Sequence, residues 1–305
     1  MSANKTAFRI KDILFLTLMI LPIIGGIALK VLFVPAADGI QITGAHVFAE
    51  FDFPVMPIII SEAQVNSWLV ILSITFFCLY LTNGIKSGIH TKRQVIAEWI
   101  VEAVEGLVKD NMGEYFRDFA PFVAAVMGLS AFSSLLTLTG LFPPTSDLNI
   151  VAGWAILVFF LITYYKFKCG PLHYLKSFAE PVPFLAPLNI ISEVATPVSM
   201  AFRHYGNILS GSVISVLVAA ALQGLTNLLL GKLPGWLGQF PFLRIGIPAV
   251  LSVYFDIFSG LLQAFIFAML TMLYIGGAFS LEDYLVRQEK KKSKKTKKTN
   301  QTQTT

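Results

Sequence analysis

PLNIISEVATPVSMAFRHYGNILSGSVISVLVAAALQGLTNLLL, residues 187–230, is the stretch that decides what kind of fold this chain takes. It holds two charged side chains, Glu193 and Arg203, and no charged loop divides it. As helix it would run ~66 Å, about twice the ~30 Å hydrocarbon core of a bilayer. Either it breaks, with Pro197 the natural place, or it lies strongly tilted. The composition of the whole chain agrees with a membrane home: of 305 residues, 55% are hydrophobic and 13% charged. Soluble domains carry about 25% charged residues. With a mean hydropathy of +0.70 there are too few polar side chains to cover a surface in water. A water-soluble enzyme domain and a wholly disordered chain are both excluded.

Working outward, six apolar segments stand at roughly 13–34, 66–85, 119–142, 150–165, 187–230 and 245–280. The expected fold class is an all-α integral membrane protein with six membrane segments, the last two forming a long, strongly tilted helical hairpin. Basic residues orient it. Lys5, Arg9 and Lys11 precede the first segment, whereas the loop from Pro35 to Val65 has Asp38, Glu50, Asp52 and Glu62 but no Lys or Arg. Basic residues return after the second and fourth segments and in the tail, so 19 of the 23 fall on one side. Lys30, Arg203, Lys232 and Arg244 are left over. Both termini are expected in the cytoplasm, provided the first segment is retained. A cleaved leader is the rival reading, with a basic start and small residues at Ala36 and Ala37, although its apolar core is longer than such leaders carry.

Between the second and third segments, TKRQVIAEWIVEAVEGLVKDNMG places Val95, Ile96, Trp99, Ile100, Val104 and Leu107 at helical spacing. The spacing predicts an amphipathic interfacial helix lying on the membrane surface or on a partner subunit. The run RQEKKKSKKTKK at 287–298 reads as a solvated cytoplasmic tail near anionic headgroups rather than a nucleic-acid binder. Three regions are expected: 1–65, an N-terminal span and acidic external loop; 66–280, the main membrane domain; 281–305, a basic disordered tail. Cys78 and Cys169 lie far apart, and the four histidines are scattered. No disulfide framework, catalytic constellation, metal site or cofactor site is expected.

Arg203 is the residue that demands explanation. An Arg at mid-bilayer costs ~2.5–3.5 kcal/mol on insertion scales, so it needs a carboxylate or water to face. Snorkelling to an interface is the bland alternative. Thr196, Ser199, Arg203, Gly206, Asn207, Ser210 and Gly211 share one small, polar helix face. A packing seam would explain the small residues but not the Arg. The sixth segment has a matching stripe of Ser252, Asp256, Ser259, Gly260 and Gln263. Asp256 reads as a proton-handling acid or as a plain partner for Arg203.

PVSMAFRHYGNILSG at 197–211, with FDIFSGLLQAFIFAMLTMLYIGGAFS at 255–280, resembles subunit a of the F-type ATP synthases. KRQVIAEWIVEAV and PPTSDLNI extend the likeness to roughly residues 66–280. The resemblance implies a stator of the membrane sector that offers two offset half-channels to the carboxylates of a c-subunit ring. It implies that Arg203 holds a ring carboxylate ionised and blocks leakage, with Asn207 and Gln263 flanking it. Glu193 would stand where the inner half-channel opens, and Asp147 and Asn149 would line the outer entrance. Where family members often carry two ionisable groups, at the positions of Ser212 and Asp256, only Asp256 is ionisable here. The implied partners are the c-ring, a peripheral-stalk b subunit, the rest of the synthase and membrane lipid, with no nucleic acid. The implied place is a bacterial plasma membrane, and the chain would be no enzyme by itself. The competing readings are a stand-alone secondary transporter of an anionic solute and, lacking a catalytic constellation, a membrane-embedded enzyme.

Overall fold

The computed structural model describes residues 2–34, 44–54, 57–85, 92–179, 182–230, 250–251, 253–282 and 284–289, with side chains for all of these except 2–9, 172, 173, 177, 230 and 256. Six helical stretches in it are long and apolar enough to cross a membrane: Ile10–Phe33, Glu62–Thr82, Glu114–Thr139, Leu148–Cys169, Pro183–Leu229 and Val253–Gly277. The protein is a predominantly α-helical, multi-pass membrane protein.

Helix α1 (Ser2–Phe33) packs along α2 (Glu62–Thr82). Between them a short antiparallel hairpin, β1 (Val47–Phe51) and β2 (Ile58–Ser61), interrupts what the sequence suggested was only an acidic loop. Ser61 then caps α2, its Oγ accepting the Gln64 backbone N–H at 3.3 Å. The helix therefore opens at Glu62, four residues before the apolar run that announced it. Helix α3 (Lys92–Met112) is the expected amphipathic element. It turns Gln94, Val104 and Val108 inward and leaves Val95, Ile96, Trp99 and Ile100 open. A 3₁₀ turn (Glu114–Phe119) leads into α4 (Ala120–Leu136), and a second such turn (Pro144–Ser146) into α5 (Leu148–Cys169). After the short α6 (Pro171–Ser177) comes α7 (Ala186–Leu230), a single unbroken helix of 45 residues with Pro197 inside it. Of the two readings of this segment, breakage at Pro197 is excluded.

Helix α8 (Gly260–Gly277) is the centre of the packing. Its buried positions, Ala264, Phe267, Ala268, Thr271, Met272 and Ile275, recur at three- and four-residue steps and meet α3, α4, α5 and α7. Val104, Val108, Phe116, Val123, Val151, Val158, Met200 and Ala201 complete this core from the other helices. A smaller core of Val70, Leu136 and Leu141 joins α2 to α4 and receives Ile23 of α1. Most other large apolar side chains are exposed, among them Leu32, Phe160, Phe202 and Leu217. An outer surface this apolar is suited to lipid and to other subunits.

Just before α8 the chain makes a π-helical turn, Val253–Ser259, in place of the regular spacing assumed for the sixth segment. Such turns are rare and concentrate at functional sites. Residues 281–282 and 284–289, expected to begin a disordered tail, are helical, and the Arg287 guanidinium donates to the carbonyls of Phe167 and Lys168, each at 2.9 Å. Those carbonyls end α5 and lack helical partners of their own, which is why the cation docks there. The remaining tail, 290–305, and the loop bearing Lys232 and Arg244 lie outside the described residues.

The α4–α8 contact generates a prediction. A Cβ on Gly260 would stand 2.5 Å from the Cβ of Ser134 and 2.7 Å from its Oγ. Gly260→Ala therefore destabilises by ~1–3 kcal/mol through overpacking, and adding Ser134→Gly recovers most of the loss. Thermal unfolding of the detergent-solubilised protein checks this; an unchanged midpoint for the single variant contradicts the close approach.

Candidate functional site

Along α7 the side chains divide by face. Met200, Ala201 and His204 are buried, whereas Val198, Ser199, Phe202, Arg203 and Ser210 are exposed. Arg203 lies within one turn of the middle of the span Pro183–Leu229. Among the described residues it forms no ion pair or hydrogen bond. The guanidinium thus stands on an open face of the longest helix, with Phe202 beside it 56% exposed. A permanently charged group in such a place lacks a partner within its own chain's described part.

The face expected to be uniformly small and polar is divided by the packing. Ser199, Arg203 and Ser210 are open; Thr196 and Asn207 are half-buried; Gly211 is buried. Asn207 Nδ2 donates to Ser259 Oγ at 2.8 Å, and Ser259 Oγ can return a bond to Asn207 Oδ1 at 3.2 Å. One turn beyond Arg203, then, α7 is tied to the end of the π-helical turn. Gly211 continues this seam: a Cβ there would meet the Phe255 ring and Cβ at 3.1 Å. Gln263, one turn into α8, is 5% exposed. Asp256 lies in the π-helical turn, but its side chain, like Ser252 as a whole, lies outside the described residues. Ser212 is exposed and its hydroxyl donates to its own helix, at the Leu209 carbonyl 2.8 Å away.

His204, given no role from the sequence, is fully buried. Its ring stands edge-on to Phe267, 5.3 Å between centroids, and its Nε2 is 3.2 Å from Ser130 Oγ. It belongs to the joint between α4, α7 and α8 rather than to the open face.

Ten residues before Arg203, ~15 Å along the helix, Glu193 sits in a polar cluster. Its Oε1 is 2.7 Å from Lys166 Nζ and accepts the Tyr174 hydroxyl at 2.9 Å. Burial, reinforced by the Glu193 hydrogen bond and charge, pushes the Tyr174 phenol up to about 12. Tyr174 is therefore a hydrogen-bond donor throughout the physiological range. Lys166 and Glu193 border a cavity of about 380 Å³ whose wall also includes Asn189, Ser192 and Thr196. The sequence pointed to Glu193 but gave no sign of Lys166 or Tyr174, which approach from α5 and α6.

At the opposite end of the bundle, Asp147 caps α5, with Oδ1 accepting the Asn149 N–H at 2.9 Å. Its Oδ2 faces Ser61 Oγ at 3.5 Å. Asn149 itself is exposed. The neighbouring turn packs against α2, α4, α5 and α7, and its Thr145 hydroxyl is buried without a partner among the described residues. Glu62 and Asn66 of α2, which sequence reasoning did not single out as site residues, are buried close by at 5% and 2% exposure. The structure does not gather all the expected site residues into one pocket. It forms a central open face at Arg203, a polar cavity at Glu193, and a second polar group at Asp147. Among the described residues no group of three or more His, Cys, Asp or Glu is placed to hold a metal ion.

Comparison with known proteins identifies the family. The family described as ATP synthase A chain matches residues 64–276. The chain is 32% identical over 231 residues to ATP synthase subunit a 2 of Bradyrhizobium sp. (strain BTAi1), an alignment covering 74% of this chain and 92% of the relative. It is 30% identical over 236 residues to ATP synthase subunit a of Geobacter sulfurreducens, covering 74% and 92% respectively. To ATP synthase subunit a of Bacillus pumilus it is 33% identical over 217 residues, covering 66% and 85%. With its apolar spans and the matched region carrying Arg203, Asn207 and Gln263, the chain belongs to the ATP synthase A chain family.

Proposed function

We propose that this chain is the ion-translocating stator of the membrane sector of an F-type ATP synthase, coupling H⁺ or Na⁺ flow to rotation of a c-subunit ring. The observation that carries this reading is Arg203, charged and unpartnered among the described residues, on the exposed face of α7 near its midpoint. A ring carboxylate facing that surface supplies the missing counter-charge. Because a guanidinium keeps its protons at any working pH, Arg203 can attract a carboxylate but cannot pass a proton onward. It therefore separates two ion paths instead of joining them.

The cavity at Glu193 is the inner path, with Lys166 and Tyr174 orienting its carboxylate. The group at Asp147 marks the outer path, with Asn149 at its exposed rim. Asp256 is the acid that relays the ion toward the ring, and the Asn207–Ser259 pair ties α7 to the π-helical turn that bears it. Gln263 backs this turn from a buried position near the start of α8, and Ser212 is a minor contributor. An unbroken α7 of ~67 Å, confined to ~30 Å of hydrocarbon, lies about 60° from the membrane normal if straight. That tilt, shared with α8, lets one helix follow the ring across both paths. The regions divide as residues 1–65, 66–280 and 281–305, and both termini are cytoplasmic in a bacterial plasma membrane. A peripheral-stalk b subunit and lipid cover the remaining apolar surface. ATP chemistry belongs to other chains, and this subunit is not an enzyme by itself.

The driving force sets the scale. Each charge crossing the membrane gains about 2.3 kcal/mol per 100 mV, so several must pass for each ATP. Arg203→Ala is expected to abolish both ATP-driven pumping and ion-driven synthesis, with the complex still assembled. Coupled pumping that survives in vesicles of this variant overturns the assignment. Asp256→Asn is expected to slow flux at least tenfold, read as the rate of gradient-driven synthesis; unchanged flux removes Asp256 from the path.

A further inference from the structure

Lys30 was one of four basic residues that loop charge left unexplained, and α1 lies outside the family match at 64–276. The structure fastens α1 at both ends. Near its start, Asp12 Oδ1 accepts from Arg93 Nη1 at 2.7 Å and from Asn83 Nδ2 at 2.9 Å. Near its finish, Lys30 Nζ donates to the Gly140 carbonyl at 2.5 Å and stands 3.7 Å from Glu62 Oε1. Asp12 and Lys30 are ~27 Å apart along the helix, close to the ~30 Å of a hydrocarbon core. Between the two clamps α1 makes a close approach, since a Cβ on Gly26 would stand 2.7 Å from Leu69 and 3.2 Å from Leu141.

The second clamp is built into the outer polar group. The Glu62 side chain is 6% exposed against 39% for Lys30, and Glu62 Oε1 also faces the Phe142 N–H at 3.4 Å. Asn66, one turn along, donates to the Phe142 carbonyl at 2.9 Å. Ser61, the residue before Glu62, reaches Asp147. Gly140, held by Lys30, adopts a left-handed φ of 77° at the end of the helical stretch that follows α4. Lys30 thus touches both the buried carboxylate and the start of the segment that leads to Asp147. A buried carboxylate with one cation beside it is an electrostatic unit whose charge changes when that cation is removed.

We propose that α1 is a working wall of the outer ion entrance, and that Lys30 is a positioning residue that fixes and neutralises the Glu62 carboxylate there. The inference rests on the stator reading above. In it, Glu62 draws the incoming cation toward Asp147, and Lys30 keeps that attraction weak enough for the ion to move on. Removing Lys30 leaves an uncompensated negative charge that holds the cation. Removing the charge of Glu62 does the reverse.

The test uses the whole complex in proteoliposomes, with synthesis driven by an imposed gradient and the driving ion varied on the outer side. Lys30→Met is expected to lower the half-saturating ion concentration roughly three- to tenfold and to reduce the maximal rate. Glu62→Gln is expected to raise that concentration by a similar factor. Lys30→Arg should behave as the unaltered protein, and Asp12→Asn, which loosens only the far clamp, should leave the half-saturating concentration unchanged. Opposite shifts from the two partners are a result that a merely structural contact does not produce. Shifts of the same sign, an unchanged ion dependence, or a loss of assembled complex with unaltered rate per complex overturns the proposal. Should Lys30→Met fail to assemble, the expected rise for Glu62→Gln decides alone, and no rise overturns it. Arg203→Ala in the same preparation separates the two levels. Coupling that survives there sinks the stator reading, whereas coupling lost there with silent Lys30 and Glu62 variants sinks this inference only.

Discussion

On the reading proposed above, the controlling interaction is the attraction between the Arg203 guanidinium, near the middle of the longest apolar span, and a negative charge outside its own chain. Arg203 stands on the open face of α7 with no partner among the described residues. Water would satisfy it at no cost, but hydrocarbon would not, and the penalty of a few kcal/mol is too large to be left unanswered in a working state. An internal carboxylate would remove the penalty and also silence the group. On that reading, a charge left open on α7 makes docking of the partner and function the same event.

Holding that charge in place requires a stiff scaffold on the opposite face, and the chain supplies one with small residues and paired polar groups. Gly211 lets the Phe255 ring close on α7, Gly260 lets Ser134 close on α8, and Asn207 with Ser259 bonds α7 to the π-helical turn. His204, the immediate neighbour of Arg203, points into the core against Phe267 and Trp154. Adjacent residues of one helix thus serve opposite ends: one anchors, the other is presented. Polar clusters at Glu193 and at Asp147 occupy the two ends of the bundle, the first ~15 Å along α7 from Arg203.

Much of this was legible in the sequence because apolar length and charge placement are direct statements about a bilayer. The six spans, the amphipathic α3 and the place of Arg203 as a lone cation inside the longest span all follow from counting along the chain. Pairings across the chain are not encoded by any period, and these are what counting missed. Glu193 could be singled out, but Lys166 lies 27 residues away and joins it only through the packing of α5 on α7. Glu62 read as a loop acid because the apolar run starts at residue 66, while the Ser61 cap lets the helix begin earlier. The hairpin at Val47–Phe51 and Ile58–Ser61 consists of strands of five and four residues, too short to stand out beside helical segments. The π-helical turn at Val253–Ser259 shifts the phase that regular helical spacing assigned to the sixth segment. Lys30 was visible only as an anomaly in the charge count, and its meaning came with the carbonyl and carboxylate it meets.

The most direct measurement is oxidative cross-linking in the assembled synthase, after replacement of Cys78 and Cys169, between single cysteines on α7 and cysteines beside the ring carboxylate. Ser199 and Ser210 flank Arg203 on the open face, whereas Met200 and Ala201 lie on the buried one. Cross-links are expected from positions 199 and 210 and none from 200 or 201. Bonds formed only from the buried positions, or from none of the four in a complex that still makes ATP, contradict the stator reading.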